Sequence, residues 1–174
     1  MNKYLEHSWI NPSIELRRSP IEGAGIFAKK IIKKGEVVIV WGSSTLLTEA
    51  GIKTGKYKVH TNVQIGEDLY LAEPPGGSKS LDDFTNHSCN PKLWMKDETT
   101  LISRRIIEKG EEVTIDYSMF MGDPGWRLKH ECRCGSELCR KIITGEGWKI
   151  KELQKRYRGH FSPYINERIK KMGK

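Results

Sequence analysis

No stretch of this 174-residue chain approaches the roughly 20 consecutive apolar residues that a membrane span requires. Residues 1–10, with Glu6, His7 and Trp9, lack the apolar core of a secretory signal, so secretion is not expected. Internal repeats and low-complexity tracts are missing too, and so is any alternation of strands with helices. A solenoid and a Rossmann-type fold are thereby excluded. Cysteine is scarce, at four residues, and an intracellular, reducing compartment follows as the expected setting (cytoplasmic, or nuclear in a eukaryote).

The four cysteines fall into two clusters. Cys89 lies in Asn-His-Ser-Cys-Asn-Pro, and Cys132, Cys134 and Cys139 form Cys-x-Cys-x4-Cys. Two disulfides are the alternative, but Cys-x-Cys spacing suits a metal better than a bridge. Three thiols within eight residues and a fourth about 43 residues upstream make a complete four-sulfur zinc set. Such a site is tetrahedral, closed and structural. It would tie the C-terminal part of the chain onto residues 81–91 and hold together a site around Asn86 and His87.

Net charge is +8, and most of it is terminal: residues 148–174 carry +7, which leaves the first 147 residues at +1. A basic tail of this kind contacts nucleic acid or an acidic protein, or forms a solvated face. No interleaved aromatics supply a stacking platform for single strands.

Ile14–Arg18 reads as a strand, followed by a turn at Ser19-Pro20 and a bend at Gly23-Ala24-Gly25 before an apolar run. Residues 36–41 are a β-branched strand after the Lys34-Gly35 turn. Residues 48–58 read as loop with a helical turn, 68–72 as a strand and 74–78 as a loop. Leu93–Met95 and residues 99–103 are expected to pair, and 112–117 is a further strand after Lys109-Gly110. The domain is therefore mainly β. Beyond it, Ile150, Leu153 and Tyr157, then Ile165 and Ile169, predict two short helices broken near residues 159–163, their apolar stripe packed on the parent domain.

The order Gly23-x-Gly25, Asn86-His87-Ser88-Cys89-x-Pro91, Gly110-Glu111-Glu112-Val113-Thr114-Ile115-Asp116-Tyr117 and Cys132-x-Cys134-x4-Cys139 resembles a SET-domain protein-lysine methyltransferase with its post-SET zinc segment. The resemblance implies a SET-domain (β-clip) fold, with small sheets around a pseudoknot in which the segment ending at Tyr117 passes a loop near residues 86–91. It divides the chain into an N-terminal extension (1–13), the SET domain (14–128), the zinc segment (129–147) and a basic helical extension (148–174). It also implies S-adenosyl-L-methionine as cofactor, structural Zn2+, and a target lysine entering from the opposite face.

By the same resemblance Tyr117 is the catalytic residue, its hydroxyl beside the transferring methyl. Gly23, Ala24, Gly25, Asn86 and His87 bind the cofactor, and Trp148 either covers the adenine or packs in the core. At the lysine channel, Val40 or Trp41 occupies the place of the family's Tyr-x-Gly tyrosine, with Trp41 preferred. Tyr70 is a channel aromatic or a core residue. Ile115, two positions before Tyr117, stands where the family has tyrosine or phenylalanine, which implies room for di- or trimethylation. Lys92 replaces the family's asparagine after the proline. The implied partner is a protein presenting a lysine, such as a histone or another basic or nucleic-acid-associated protein. A noncatalytic SET-fold module that binds protein or nucleic acid is the rival reading.

Overall fold

The computed structural model describes residues 3–57, 63–73, 76 and 79–173. Among the described residues, nine short strands, all paired antiparallel, form three small sheets. The largest has the order β1-β4-β9-β8, from β1 (His7–Ile10), β4 (Val37–Ser43), β9 (Thr100–Ser103) and β8 (Leu93–Met95). A two-stranded sheet joins β2 (Ile14–Arg18) to β3 (Ala24–Ala28). The third, ordered β5-β7-β6, uses β5 (Leu46–Leu47), β7 (Leu69–Leu71) and β6 (Val63–Gly66). The core lies between them, and Ile26, Ile32, Val38, Ile39, Leu93, Met95, Leu101, Ile107 and Val113 are all fully buried there.

The expected strands at 14–18, 36–41, 68–72, 93–95 and 99–103 are present, with ends shifted by a residue or two. Two departures have physical causes. Residues 7–10, expected to lie in an extension, instead supply an edge strand whose Trp9 and Ile10 stand opposite Val40 and Ile39. Residues 112–117, expected as a strand, form no ladder. That segment is met from two sides by different partners: an antiparallel bridge joins Phe27 to Glu112, and a parallel bridge joins His87 to Ile115. Val113 donates its amide to Ile26, Ile115 to Asn86, and Ser88 to Ile115. The Asn86–Ser88 stretch and the segment ending at Tyr117 therefore run side by side in one direction, the juxtaposition that the expected pseudoknot requires.

Within 48–57 a single helical turn forms, α1 (Glu49–Lys53), capped by Thr48. Lys58 and the 74–78 loop, apart from Gly76, lie outside the described residues. The C-terminal helices are α2 (Lys151–Arg156) and α3 (Pro163–Met172), the second started by proline at its first position. Leu153, Tyr157 and Ile165 are buried against the domain as expected, whereas Ile150 sits at the helix start, partly exposed. Among the described residues, no helix is long and apolar enough to cross a membrane.

Candidate active site and metal centre

The four cysteine sulfurs lie within 4.8 Å of one another. Sulfurs bound at about 2.3 Å around a tetrahedral zinc stand roughly 3.8 Å apart, so the set fits that ion with a closure of at most about 1 Å. Cys89 and Cys132 are buried and Cys134 and Cys139 half-buried. Backbone amides already aim at this cluster: Cys89 donates to Cys134 Sγ at 3.5 Å, and Arg140 donates to Cys89 Sγ at 3.3 Å. Such donors favour thiolate ligands.

A cleft of about 600 Å³ opens beside this cluster, within the range of small-molecule sites. Gly23 and Ala24 stand on one wall, Trp41, Ile115 and Phe120 on another, and residues 125–130 on a third. Tyr117 reaches into it, held by edge-on contacts with Phe120 and Trp126 at ring-centre distances of 5.8 and 5.9 Å. Its hydroxyl donates to the Thr85 carbonyl at 2.9 Å. Burial pushes this phenol far above its usual range, so it stays protonated at neutral pH and keeps its oxygen lone pairs for a ligand.

The backbone at Tyr117 is fixed from behind by His87. Burial lowers the His87 ring to about 4, against the pull of Asp116, so the ring is neutral. Its Nδ1 accepts the Tyr117 amide at 3.2 Å, which puts the proton on Nε2, 3.4 Å from Cys89 Sγ. A single imidazole thus links the tyrosine to a metal-ligand sulfur. Asp116 is completely buried. Burial alone would raise its carboxyl, but the Arg140 guanidinium, bonded to both oxygens at 2.6 and 2.8 Å, holds it below the ordinary range. The Ser118 amide and the hydroxyl of Tyr157, the residue that caps α2, add two more bonds to this carboxylate, at 3.0 and 3.2 Å.

Asn86 acts mainly as a brace. Its Nδ2 donates to the carbonyls of Glu22 and Ala24 and to Glu112 Oε1, at 3.2, 3.1 and 2.8 Å. Three oxygen acceptors fix the amide orientation and leave the side-chain carbonyl as the group available to a ligand. Gly23 has φ +51°, a conformation natural to glycine. Gly25 lies behind the wall, where a Cβ would run into Glu112 Oε1 and stand 3.0 Å from Asn86 Nδ2. It therefore supports the Gly23–Ala24 rim and does not line the cleft. His130 reaches across from the zinc segment to Glu22, Nε2 to Oε2 at 2.7 Å.

Trp41 and Ile115 stand in the cleft as expected. Two other aromatics do not. Trp148 is packed in the core, with the Arg168 guanidinium 5.7 Å from its ring centre, and Trp126 takes the place on the cleft wall. Tyr70 points to the opposite side of β7 from Leu71, which faces the cleft, and burial raises its phenol to about 12. His87 contributes from behind the wall. Trp126, Phe120, Thr85 and Arg140 were not anticipated. Arg140 directly follows the last cysteine, and that adjacency was the available signal.

The SET domain family model matches residues 23–118, more than half of the chain, and the chain belongs to that family. It is similar to Histone-lysine N-methyltransferase ash1 of Drosophila melanogaster, 26% identical over 165 residues, covering 87% of this chain and 7% of that protein. It is also similar to Histone-lysine N-methyltransferase 2D of Homo sapiens, 31% identical over 153 residues, with 80% and 3% covered. The chain thus spans less than a tenth of either relative. The fold is shared with Arabidopsis thaliana SUVH6, whose crystal structure is in complex with SAM, at a TM-score of 0.64 and 17% identity, covering 76% of this chain and 33% of that one.

Proposed function

We propose that the chain is a protein-lysine N-methyltransferase that moves a methyl group from S-adenosyl-L-methionine to a lysine amine by direct in-line displacement. The observation that carries this reading is the Tyr117 phenol, protonated and anchored, inside a cleft that has the bare Gly23–Ala24 rim on one side and aromatic walls on the other. The residues fit the cofactor: the rim offers backbone to a ligand, the Asn86 carbonyl is available, and the space is of the right size. When bound, the cofactor supplies a methyl carbon activated by its positive sulfur.

The reacting amine must be neutral. A free lysine near pKa 10.4 is about 3.4 units away from that state at pH 7, a deficit of roughly 4 to 5 kcal/mol. Trp41, Ile115 and Phe120 exclude water and disfavour the ammonium form. The Tyr117 hydroxyl donates its hydrogen bond to the Thr85 carbonyl, so its oxygen can accept an amine N–H and orient the nitrogen lone pair. Removing this group by Tyr117→Phe is expected to reduce methyl transfer about 10²–10³-fold, as for loss of one preorganised hydrogen-bonding group. Labelled cofactor and a lysate of the source organism test both points; transfer that persists undiminished in Tyr117→Phe overturns the role.

Ile115 leaves space where a hydroxyl would restrict the product, so di- or trimethyllysine is the expected product. A mass spectrum that stays at one added methyl under exhaustive conditions excludes this. The proposed substrate is a basic protein of the histone class, which places the chain in a nucleus if the source is eukaryotic. Exposed Lys149, Lys151, Lys155 and Arg158 offer phosphate contacts to nucleic acid carrying that substrate, with a steep salt dependence as their signature.

A further inference from the structure

Residues 120–122 leave the Tyr117–Met119 turn and belong to no strand or helix. Their amides and carbonyls therefore need partners from elsewhere. The Phe120 and Met121 amides turn back to the Tyr117 carbonyl at 3.2 and 2.8 Å. The Gly122 amide donates to Oε1 of Gln64, a buried residue of β6, at 2.9 Å. Three further bonds come from the C-terminal end of the chain. Ser162 donates its amide to the Met119 carbonyl at 2.8 Å, the Tyr164 hydroxyl donates to the Phe120 carbonyl, and Arg168 Nη1 donates to the Gly122 carbonyl at 2.7 Å.

Tyr164, Ile165 and Arg168 stand at i, i+1 and i+4 on one face of α3, and that face presses on Gly122. A Cβ there would lie 2.7 Å from Arg168 Nη1 and 2.9 Å from both Ile165 Cδ1 and the Tyr164 hydroxyl. Tyr164 is buried, which holds its phenol far above the usual range, so the hydroxyl keeps the proton that it donates. Arg168 also reaches Glu67, in the turn between β6 and β7, from Nε to Oε2 at 2.9 Å. That contact ties α3 to the sheet whose Val63 and Leu71 line the cleft. On its other side the 120–122 segment is itself cleft wall. The Phe120 ring meets Trp41 edge-on at 4.9 Å and Tyr117 at 5.8 Å. None of the four sequence motifs that carry the family resemblance includes residues 119–122 or α3.

We propose that α3 is a positioning element for the cleft and Tyr164 its positioning residue. By holding the Phe120 carbonyl, Tyr164 fixes the Phe120 ring, and with it the wall that presents the lysine amine to Tyr117. This role rests on the methyl-transfer reading. A segment without a ladder of its own shifts when one of its few partners is lost, and alignment of reacting atoms is sensitive to displacements of about 1 Å. The cofactor rim is held by other groups: the Ser19 amide donates to the Gly23 carbonyl at 2.9 Å and Asn86 to the Ala24 carbonyl at 3.1 Å. Loss of the Tyr164 bond therefore falls on methyl transfer and spares cofactor binding.

The test uses the full chain, with and without 4-fluorophenylalanine in place of Phe120. Tyr164→Phe keeps the ring and removes only the donated bond. It is expected to slow transfer from saturating labelled cofactor to the proteins of a source-organism lysate about tenfold per mole of folded enzyme. The dissociation constant for S-adenosyl-L-methionine should change by less than about twofold, and the fluorine resonance should shift or broaden. Leu153→Ala is the comparison: it opens a cavity in α2, leaves every bond to residues 119–122 in place, and should lower Tm with a rate within about twofold of the unaltered protein. Equal slowing in the two variants, a matching loss of cofactor affinity, an unmoved fluorine resonance or an unchanged rate in Tyr164→Phe overturns the proposal. If circular dichroism shows Tyr164→Phe unfolded, Arg168→Ala decides by the same readouts, with a slowing of about threefold expected. If the unaltered protein transfers no label, the enzymatic reading falls, and the fluorine resonance still judges whether Tyr164 holds Phe120.

Discussion

The zinc segment and the helical pair that follows it both press on Asp116, but they are held down by different forces. The segment that carries Cys132, Cys134 and Cys139 brings Arg140 to that carboxylate with little oil of its own. Besides Cys89 and Cys132, its cluster contains one fully buried apolar residue, Ile143. The helices bring Tyr157 to the same carboxylate and bury Leu153, Tyr157, Phe161 and Ile165 in the main core. One buttress therefore depends on sulfur and metal, and the other on apolar burial, although both hold the residue that precedes Tyr117.

The sharpest way to break this contrast is to remove the metal. A strong zinc chelator, or Cys132→Ser, is expected to release residues 126–145 and abolish cofactor binding, since ligation and folding of such segments are one process. Hydrogen exchange followed by mass spectrometry should show fast amides there while those of Leu153 and Tyr157 remain protected; simultaneous exposure of α2 would make the two regions one cooperative unit. Arg140→Ala comes next. It leaves Asp116 buried with its main counter-ion gone, a loss of about 3–5 kcal/mol in urea unfolding. Leu153→Ala should cost roughly 2–4 kcal/mol by leaving a cavity, with zinc stoichiometry intact. Tyr157→Phe removes a single bond to a charged acceptor and should cost about 1.5 kcal/mol, leaving Arg140 to hold the carboxylate. If Tyr157→Phe proves more damaging than Arg140→Ala, the ranking of the two buttresses is inverted.

Much of this arrangement was legible in the sequence where spacing carries the chemistry. The cysteine pattern located the sulfur cluster, and the polar turn at Lys96-Asp97-Glu98 between Leu93–Met95 and residues 99–103 located a hairpin. Local pattern failed where partners decide. Residues 112–117 have the β-branched look of a strand, yet their amides and carbonyls go to Ile26 on one side and to residues 86–88, Lys92 and Leu93 on the other, and nothing local encodes that division. Single aromatics were equally opaque. Trp41 and Trp126 face the cleft while Trp148 fills the core, and the residue type is identical in all three. Four-residue strand β1 was too short to register, so the pairing of Trp9 and Ile10 with Val40 and Ile39 stayed hidden with it.

The guanidinium of Arg140 also sets a condition on anyone who would rebuild this protein. A foreign zinc knuckle grafted between residues 126 and 145 could reproduce every sulfur and still fail, because the replaced loop also delivers the counter-charge for a carboxylate sealed inside its neighbour. Chimeras that transplant the knuckle should therefore carry an arginine directly after the final cysteine, or exchange the buried aspartate for a neutral residue along with it.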